Sequence, residues 1–123
     1  MIPARCALGW AIASAIALLV PRAIAQDAPK EEEPPPKFDA AYLTDPANIK
    51  VGEGVWHNQC RHCHGNAAYP GKAPKLNPGS YEPEFIYERV TYGFRKMPAW
   101  KDVFSVDERK GVVAYIKSSE FSP

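Results

Sequence analysis

Residues 60–64 read Cys60-Arg61-His62-Cys63-His64, and this stretch decides the fold expected for the 123-residue chain. On a helical turn, residues three positions apart lie on the same side, so the two thiols face the same way. The imidazole of His64 follows them directly and can turn towards the same space. Two thiols and one imidazole in this order suit a group that is bound both covalently and through a metal.

The C-x-x-C-H spacing is typical of the attachment site of a c-type haem. Both sulfurs can form thioethers with the haem vinyl groups, and His64 can bind the iron. A covalent haem would also supply the core that a small exported domain needs. Two alternatives fit less well. A redox-active dithiol needs a preceding strand and a βαβ context, and half a zinc site needs a second cysteine pair.

The first 25 residues have the layout of a secretory signal peptide. Arg5 precedes an uncharged apolar run over residues 6–20, and Ala23-Ile24-Ala25 offers a small-x-small cleavage site. The run is shorter than the roughly 20 residues of a membrane-spanning helix. We therefore expect cleavage after Ala25 rather than anchoring, and a periplasmic mature protein with no stable membrane insertion.

The mature chain is expected to have three parts. Residues 26–37 form an acidic, Pro-rich leader that lacks apolar surface and is expected to be flexible. Residues 38–49 form an N-terminal arm that packs on the domain, and residues 50–123 form the haem domain. The two N-terminal parts hold two basic and six acidic residues, against eleven and eight in the haem domain. The net charge of the whole chain, +1, gives no electrostatic case for nucleic acid.

Helical patterns predict an all-α domain with three main helices. The first runs from about Pro46 to Cys60, and the second from about Pro83 to Tyr92, where Gly93 suits the left-handed position after the end. The third follows Ser105, which forms a capping box with Glu108. The Pro-rich segments between them are expected to be loops.

Met97 is the candidate for the second axial ligand of the haem iron. It is the only Met after the signal segment and lies in a loop that can fold over the distal face. His62 is trapped in the attachment turn, and His57 lies one turn earlier on the proximal side, so neither is an expected ligand. Ligation by His64 and Met97 leaves no open coordination position, which favours an electron carrier over a catalyst.

From about residue 50 to residue 118 the chain resembles a class I c-type cytochrome. The matching motifs are Gly52-x-x-x-Trp56-x-x-x-Cys60-x-x-Cys63-His64-Gly65, Ala73-Pro74-Lys75-Leu76, Met97-Pro98-Ala99-Trp100 and Val113-Ala114-Tyr115-Ile116. The resemblance implies a cytochrome c fold, in which helices and loops wrap around one covalently bound haem. It places Gly52 and Tyr115 at the crossing of the first and last helices.

The resemblance also implies a hydrogen bond from His64 to a proline carbonyl, for which Pro74 is the match and Pro70 a rival. The ring orientation of an iron-binding histidine depends on such an acceptor. Leu76 and Phe94 are expected to be apolar neighbours of the haem. Trp100 either covers the edge of the ring and donates its indole N–H to a propionate, or packs in the core.

The expected function is that of a soluble periplasmic single-electron carrier. One alternative is a haem subunit of a permanent redox complex, docked through residues 26–49. Another is a haem enzyme or gas-binding protein, which would need a labile sixth ligand. Segments 69–75 and 45–47 resemble cytochromes that serve quinoprotein alcohol dehydrogenases, so such an enzyme is the expected donor and an oxidase the expected acceptor.

Four basic residues lie in the two loops expected to flank the exposed haem edge: Lys72, Lys75, Arg95 and Lys96. They are either ordinary solvated charges or a basic rim that steers an acidic redox partner.

Overall fold

Two aspartates cap the first helices in the computed structural model, which describes residues 33–66 and 71–121. The carboxylate of Asp39 accepts a hydrogen bond from the backbone N–H of Tyr42, and that of Asp45 accepts one from Ala47. Such caps satisfy amides that a helix leaves free at its beginning. In chain order, the described helices are α1 (Ala40–Thr44), α2 (Pro46–Val55), a π-helical segment (Trp56–Cys60), α3 (Arg61–His64), a 3₁₀ turn (Pro78–Ser80), α4 (Pro83–Tyr92) and α5 (Val106–Lys117).

The helix α4 begins and ends where the sequence predicts, and α5 begins after its predicted cap. Gly93 ends α4 with a φ of +74°, a conformation that glycine adopts without strain. Ser105 and Glu108 form both hydrogen bonds of the capping box at the start of α5. Together with α2, these two helices confirm the predicted all-α class with three main helices.

The first predicted helix is divided. The α-helical part ends at Val55, and a π-helical turn over Trp56–Cys60 continues it. A π-helical turn holds an additional residue, so residues before and after it do not keep the spacing of a continuous α-helix. As a result, Gly52 packs on α5 while Cys60 lines the cavity described below.

The crossing of α2 and α5 forms the centre of the fold. A Cβ atom at Gly52 would overlap the backbone oxygen of Gly111 and the Cβ of Tyr115. Close contact of the two backbones therefore depends on glycine at position 52, as the resemblance implies. The buried hydrophobic side chains around this crossing are Ile49, Val55, Trp56, Ile86, Tyr87, Val90, Val112, Val113, Ala114, Tyr115, Ile116 and Phe121.

The segments before α2 include a helix and a contact from the predicted leader. The predicted arm, residues 38–49, folds as α1 and the first turn of α2. Residues 33–37 belong to the predicted flexible leader, yet the backbone carbonyl of Glu33 accepts a hydrogen bond from the Tyr92 hydroxyl at 3.0 Å. The signal peptide and residues 26–32 lie outside the described residues. In the described part of the chain, no helix has the length and hydrophobicity that a membrane crossing requires.

Candidate functional site

The turn with the two cysteines is held from both sides. The indole N–H of Trp56 donates to the carbonyls of Gly65 and Asn66, at 3.1 and 3.0 Å. On the other side, the backbone N–H of Ala73 donates to the Cys63 carbonyl at 2.8 Å. The chain that follows the turn therefore folds back on it.

A cavity of about 920 Å³ opens beside this turn. Its volume lies in the range of small-molecule and cofactor sites, roughly 300–1,000 Å³. The eight residues that the sequence analysis assigned to a haem all line it: Cys60, Cys63, His64, Pro74, Leu76, Phe94, Met97 and Trp100. Chain segments from the π-helical turn to the loop before α5 thus converge on one space.

Met97 reaches this cavity from a tight turn after α4. The backbone N–H of Phe94 donates to the Met97 carbonyl at 3.0 Å, and the N–H of Met97 donates to the Phe94 carbonyl at 2.9 Å. Between them, Arg95 adopts a positive φ of 55°. A Cβ at Gly93 would collide with the backbone of Met97 and Ala99, so glycine is required there for space as well as for its φ.

The ring of His64 is in the state that metal binding requires. Burial lowers its pKa, which favours the neutral imidazole at neutral pH. Its Nδ1 atom is buried and has no hydrogen-bond partner among the described residues. Pro74 lines the cavity without accepting this hydrogen bond, and its rival Pro70 lies outside the described residues.

The protonation of Cys60 differs from that of a redox-active dithiol. Burial raises the pKa of the Cys60 thiol to about 11. Redox-active C-x-x-C motifs instead lower the pKa of a cysteine to produce a reactive thiolate. The environment of Cys60 therefore argues against the dithiol alternative.

The two other histidines lie apart from the cavity lining. His62 is exposed, and its Nε2 is 3.2 Å from the carbonyl oxygen of Asn58. The His57 ring packs 6.4 Å from that of Tyr115. Neither side chain contributes to the cavity, in keeping with their exclusion as ligands.

Five cations line the cavity: Lys72, Lys75, Arg89, Arg95 and Lys96. None of the described lining residues is Asp or Glu. The guanidinium carbon of Arg89 lies 4.7 Å from the ring centroids of both Phe85 and Phe94, which hold this side chain in place. The cavity therefore suits an apolar group that carries negative charge.

These features fit a haem c. Two thiols can take its vinyl groups, a neutral imidazole and a thioether can take its iron, and the cations can balance its two propionates. The Nδ1 atom of His64 is buried and has no hydrogen-bond partner among the described residues, so this ring has an unsatisfied nitrogen that a bound metal or an acceptor would satisfy. In this chain, the residues that would hold the group are Cys60, Cys63, His64 and Met97.

Three aromatic residues shape the site in ways that the sequence did not predict. The Trp56 ring lies 5.6 Å from that of His64, and its indole N–H hydrogen-bonds the turn. Tyr81 stacks on Phe85 at the cavity wall. Phe121 is fully buried, and its ring packs edge-on against Trp56 at 4.6 Å. Only the position of Trp56, one turn before Cys60, offered a signal in the sequence.

Comparison with known proteins gives one family match and two relatives. Residues 47–116 match the family described as cytochrome c oxidase, cbb3-type, subunit III. Two curated relatives are the cytochrome bc1 complex cytochrome c subunits of Corynebacterium diphtheriae and Corynebacterium efficiens, 36% and 34% identical over 86 residues. Each match covers 64% of this chain, which spans 30% and 28% of the length of these relatives.

Proposed function

The chain belongs to the cytochrome c family described as cytochrome c oxidase, cbb3-type, subunit III, and we propose that it carries single electrons through one covalent haem c. Cys60 and Cys63 would attach the group, and His64 and Met97 would bind its iron. The observation that carries this proposal is the convergence of all four side chains on one cavity. The cytochrome c fold and the electron-transfer role are general to the family; the ligand set is our assignment for this chain.

The residues around the cavity explain why a carrier is the best-supported function. When bound, a haem c supplies an iron that gains and loses one electron. The imidazole of His64 and the thioether of Met97 are both neutral ligands, and a methionine ligand raises the reduction potential. If both side chains bound the iron of a haem held in this cavity, they would leave no position for a substrate or a gas.

We place the mature protein in the periplasm, between a dehydrogenase and a respiratory acceptor. The signal-peptide pattern at residues 1–25 supports export. The names of the relatives support a respiratory setting, because both are subunits of a bc1 complex. A quinoprotein alcohol dehydrogenase remains our proposed donor and an oxidase our proposed acceptor, on the resemblance of segments 69–75 and 45–47.

A second candidate is a haem subunit of a permanent complex. The specific observation in its favour is that both curated relatives are named as complex subunits. Purification from the native periplasm and membranes under mild conditions distinguishes a free carrier from a complex subunit. A carrier elutes at the mass of one chain, whereas a subunit elutes with its partners.

Covalent attachment is the direct test of the proposed function. We expect intact-mass analysis of the exported protein to show one haem added to the mature chain. The variant Cys60→Ala should lose one thioether and yield much less haem-loaded protein, whereas the control His62→Ala, at an exposed position of the same motif, should mature normally. Haem that extracts from the denatured wild type into acidified organic solvent would contradict the proposal.

A further inference from the structure

Residues 33–38, which we call the strap, are fixed to α4 at both ends. At one end, the Glu33 carbonyl accepts the hydrogen bond from the Tyr92 hydroxyl. At the other, the backbone N–H of Phe38 donates to Oε1 of Glu84 at 3.3 Å. The Phe38 ring packs 6.1 Å from that of Tyr87. Tyr87 belongs to the face of α4 that does not line the cavity, so the strap lies behind this helix.

Arg109 is a buried cation beneath the strap. Its relative exposure is 3%, and its guanidinium carbon lies 5.1 Å from the centroid of the Tyr87 ring. Among the described residues, its ion pair is with Glu33, with Nη2 and Oε2 3.7 Å apart. Its Nε atom is buried without a hydrogen-bond partner. The Glu33 side chain is 42% exposed, so only the arginine end of this ion pair is buried. Loss of the carboxylate would leave the buried charge of Arg109 without this partner, which is destabilising.

Thr91 connects Arg109 to the loop of Met97. This side chain is fully buried, and its hydroxyl accepts a hydrogen bond from Nη1 of Arg109 at 2.8 Å. Its carbonyl accepts hydrogen bonds from the backbone N–H groups of Trp100 and Lys101, at 3.2 and 3.1 Å. These two residues follow Met97 closely, so the end of α4 fixes the chain just beyond the ligand.

We propose that Glu33 is a positioning residue for Met97. Its carboxylate neutralises Arg109, Arg109 holds Thr91, and Thr91 holds the returning chain that presents Met97 to the cavity. The inference rests on the proposed function, in which Met97 binds the iron. It assigns a role to the last part of the acidic leader, which touches neither the haem cavity nor the cysteines.

The test compares Glu33→Gln with Glu53→Gln in the full-length, haem-loaded protein. Both changes remove one negative charge, but Glu53 pairs with the exposed Lys50 on α2, away from the cavity. We expect Glu33→Gln to weaken the sulfur-to-iron charge-transfer band of the ferric protein on warming. Imidazole added to the solution should displace Met97 about tenfold faster than in wild type. The control Glu53→Gln should match wild type in both measurements.

Amide hydrogen exchange supplies a readout that does not depend on the ligand. We expect the N–H groups of Trp100 and Lys101 to exchange faster in Glu33→Gln. Thr91→Val, which removes the hydroxyl acceptor, should have a similar effect, and the double variant should add little to either. The inference would be overturned if Glu33→Gln and Glu53→Gln gave equal results in all three measurements: the stability of the charge-transfer band, the rate of displacement by imidazole, and the amide exchange of Trp100 and Lys101.

A missing charge-transfer band in the wild type has a different meaning. It would refute Met97 as the ligand and with it the ligand set of the proposed function. The positioning role of Glu33 towards Met97 would fall at the same time, whatever the exchange data. A present band with no effect of Glu33→Gln leaves the proposed function standing and removes only the positioning role.

Discussion

Met97 lies between two sets of backbone hydrogen bonds. One joins it to Phe94 across the tight turn, and the other joins Trp100 and Lys101 to the end of α4. A methionine side chain is flexible and its thioether is a weak ligand, so the backbone must supply the order that the side chain lacks. The loop therefore acts as a frame that presents one sulfur atom to the cavity.

Replacement of this sulfur has a clear expected result. Met97→Ala should open the sixth coordination position, because no other described Met or His lines the distal part of the cavity. We expect a lower reduction potential, loss of the sulfur-to-iron charge-transfer band, and binding of carbon monoxide to the ferrous protein. Visible absorption spectra and a redox titration measure all three.

Val103→Ala is the matched control for this prediction. Val103 follows in the same loop, is 61% exposed and does not line the cavity. Its truncation should leave the spectrum and the potential unchanged. If the charge-transfer band survived in Met97→Ala, the sixth ligand would be another residue.

At the scale of elements, the crossing of α2 and α5 supports the site because α2 leads directly into the cysteine turn. Gly52→Ala should destabilise the protein by about 3 kcal/mol, since its methyl group meets backbone rather than a side chain that can move. The measurement is the free energy of unfolding in guanidinium chloride, followed by far-ultraviolet circular dichroism.

Gly54 provides the comparison on the same helix. A Cβ at this position meets nothing within 4 Å. Gly54→Ala should therefore raise the free energy of unfolding by about 0.5 kcal/mol, because alanine is the better helix former. If both variants changed stability by the same amount, the close crossing would not limit residue 52.

Local signals explain which elements were predictable. Pro83, Gly93 and the Ser105 capping box start or stop a helix within a few residues. Both ends of α4 and the start of α5 therefore follow from the sequence. The cysteine motif and Met97 identify the cofactor site because its chemistry demands those residue types. No rule of local spacing predicts the π-helical turn at Trp56–Cys60, which changes the register of the helix.

Long-range contacts account for the remaining differences. Phe121 is buried by rings of α5 and the π-helical segment, and nothing near it in sequence indicates this. Residues 33–37 are predicted to be flexible from their composition. However, the carboxylate of Glu33 forms an ion pair with the buried Arg109, 76 positions further along the chain. The composition of a segment indicates whether it can fold alone. It gives no information about distant residues that hold the segment in place.

At the scale of the whole molecule, the described acid of the leader lies apart from the cations of the cavity. The cavity lining holds five cations and, among its described residues, no acid. Glu33 lies behind α4, where it pairs with Arg109. Four of the five cations are exposed to solvent: Lys72, Lys75, Arg95 and Lys96.

These exposed cations predict how the charge of a redox partner affects the rate of electron transfer. Electron transfer to the anion hexacyanoferrate(III) should slow as salt rises, since exposed charges are screened over ~8 Å at physiological ionic strength. Transfer to a cationic cobalt(III) complex should instead become faster. Lys75→Glu and Lys96→Glu add negative charge, so each should slow transfer to the anion and speed transfer to the cation, with an unchanged haem spectrum. The control Lys50→Glu on α2, outside the cavity lining, should change both rates less. Stopped-flow absorbance over a range of salt concentrations measures these rates. If salt and charge reversal had no effect on either reagent, electrons would leave through another face, and the basic residues at the cavity would be solvated charges without a role in docking.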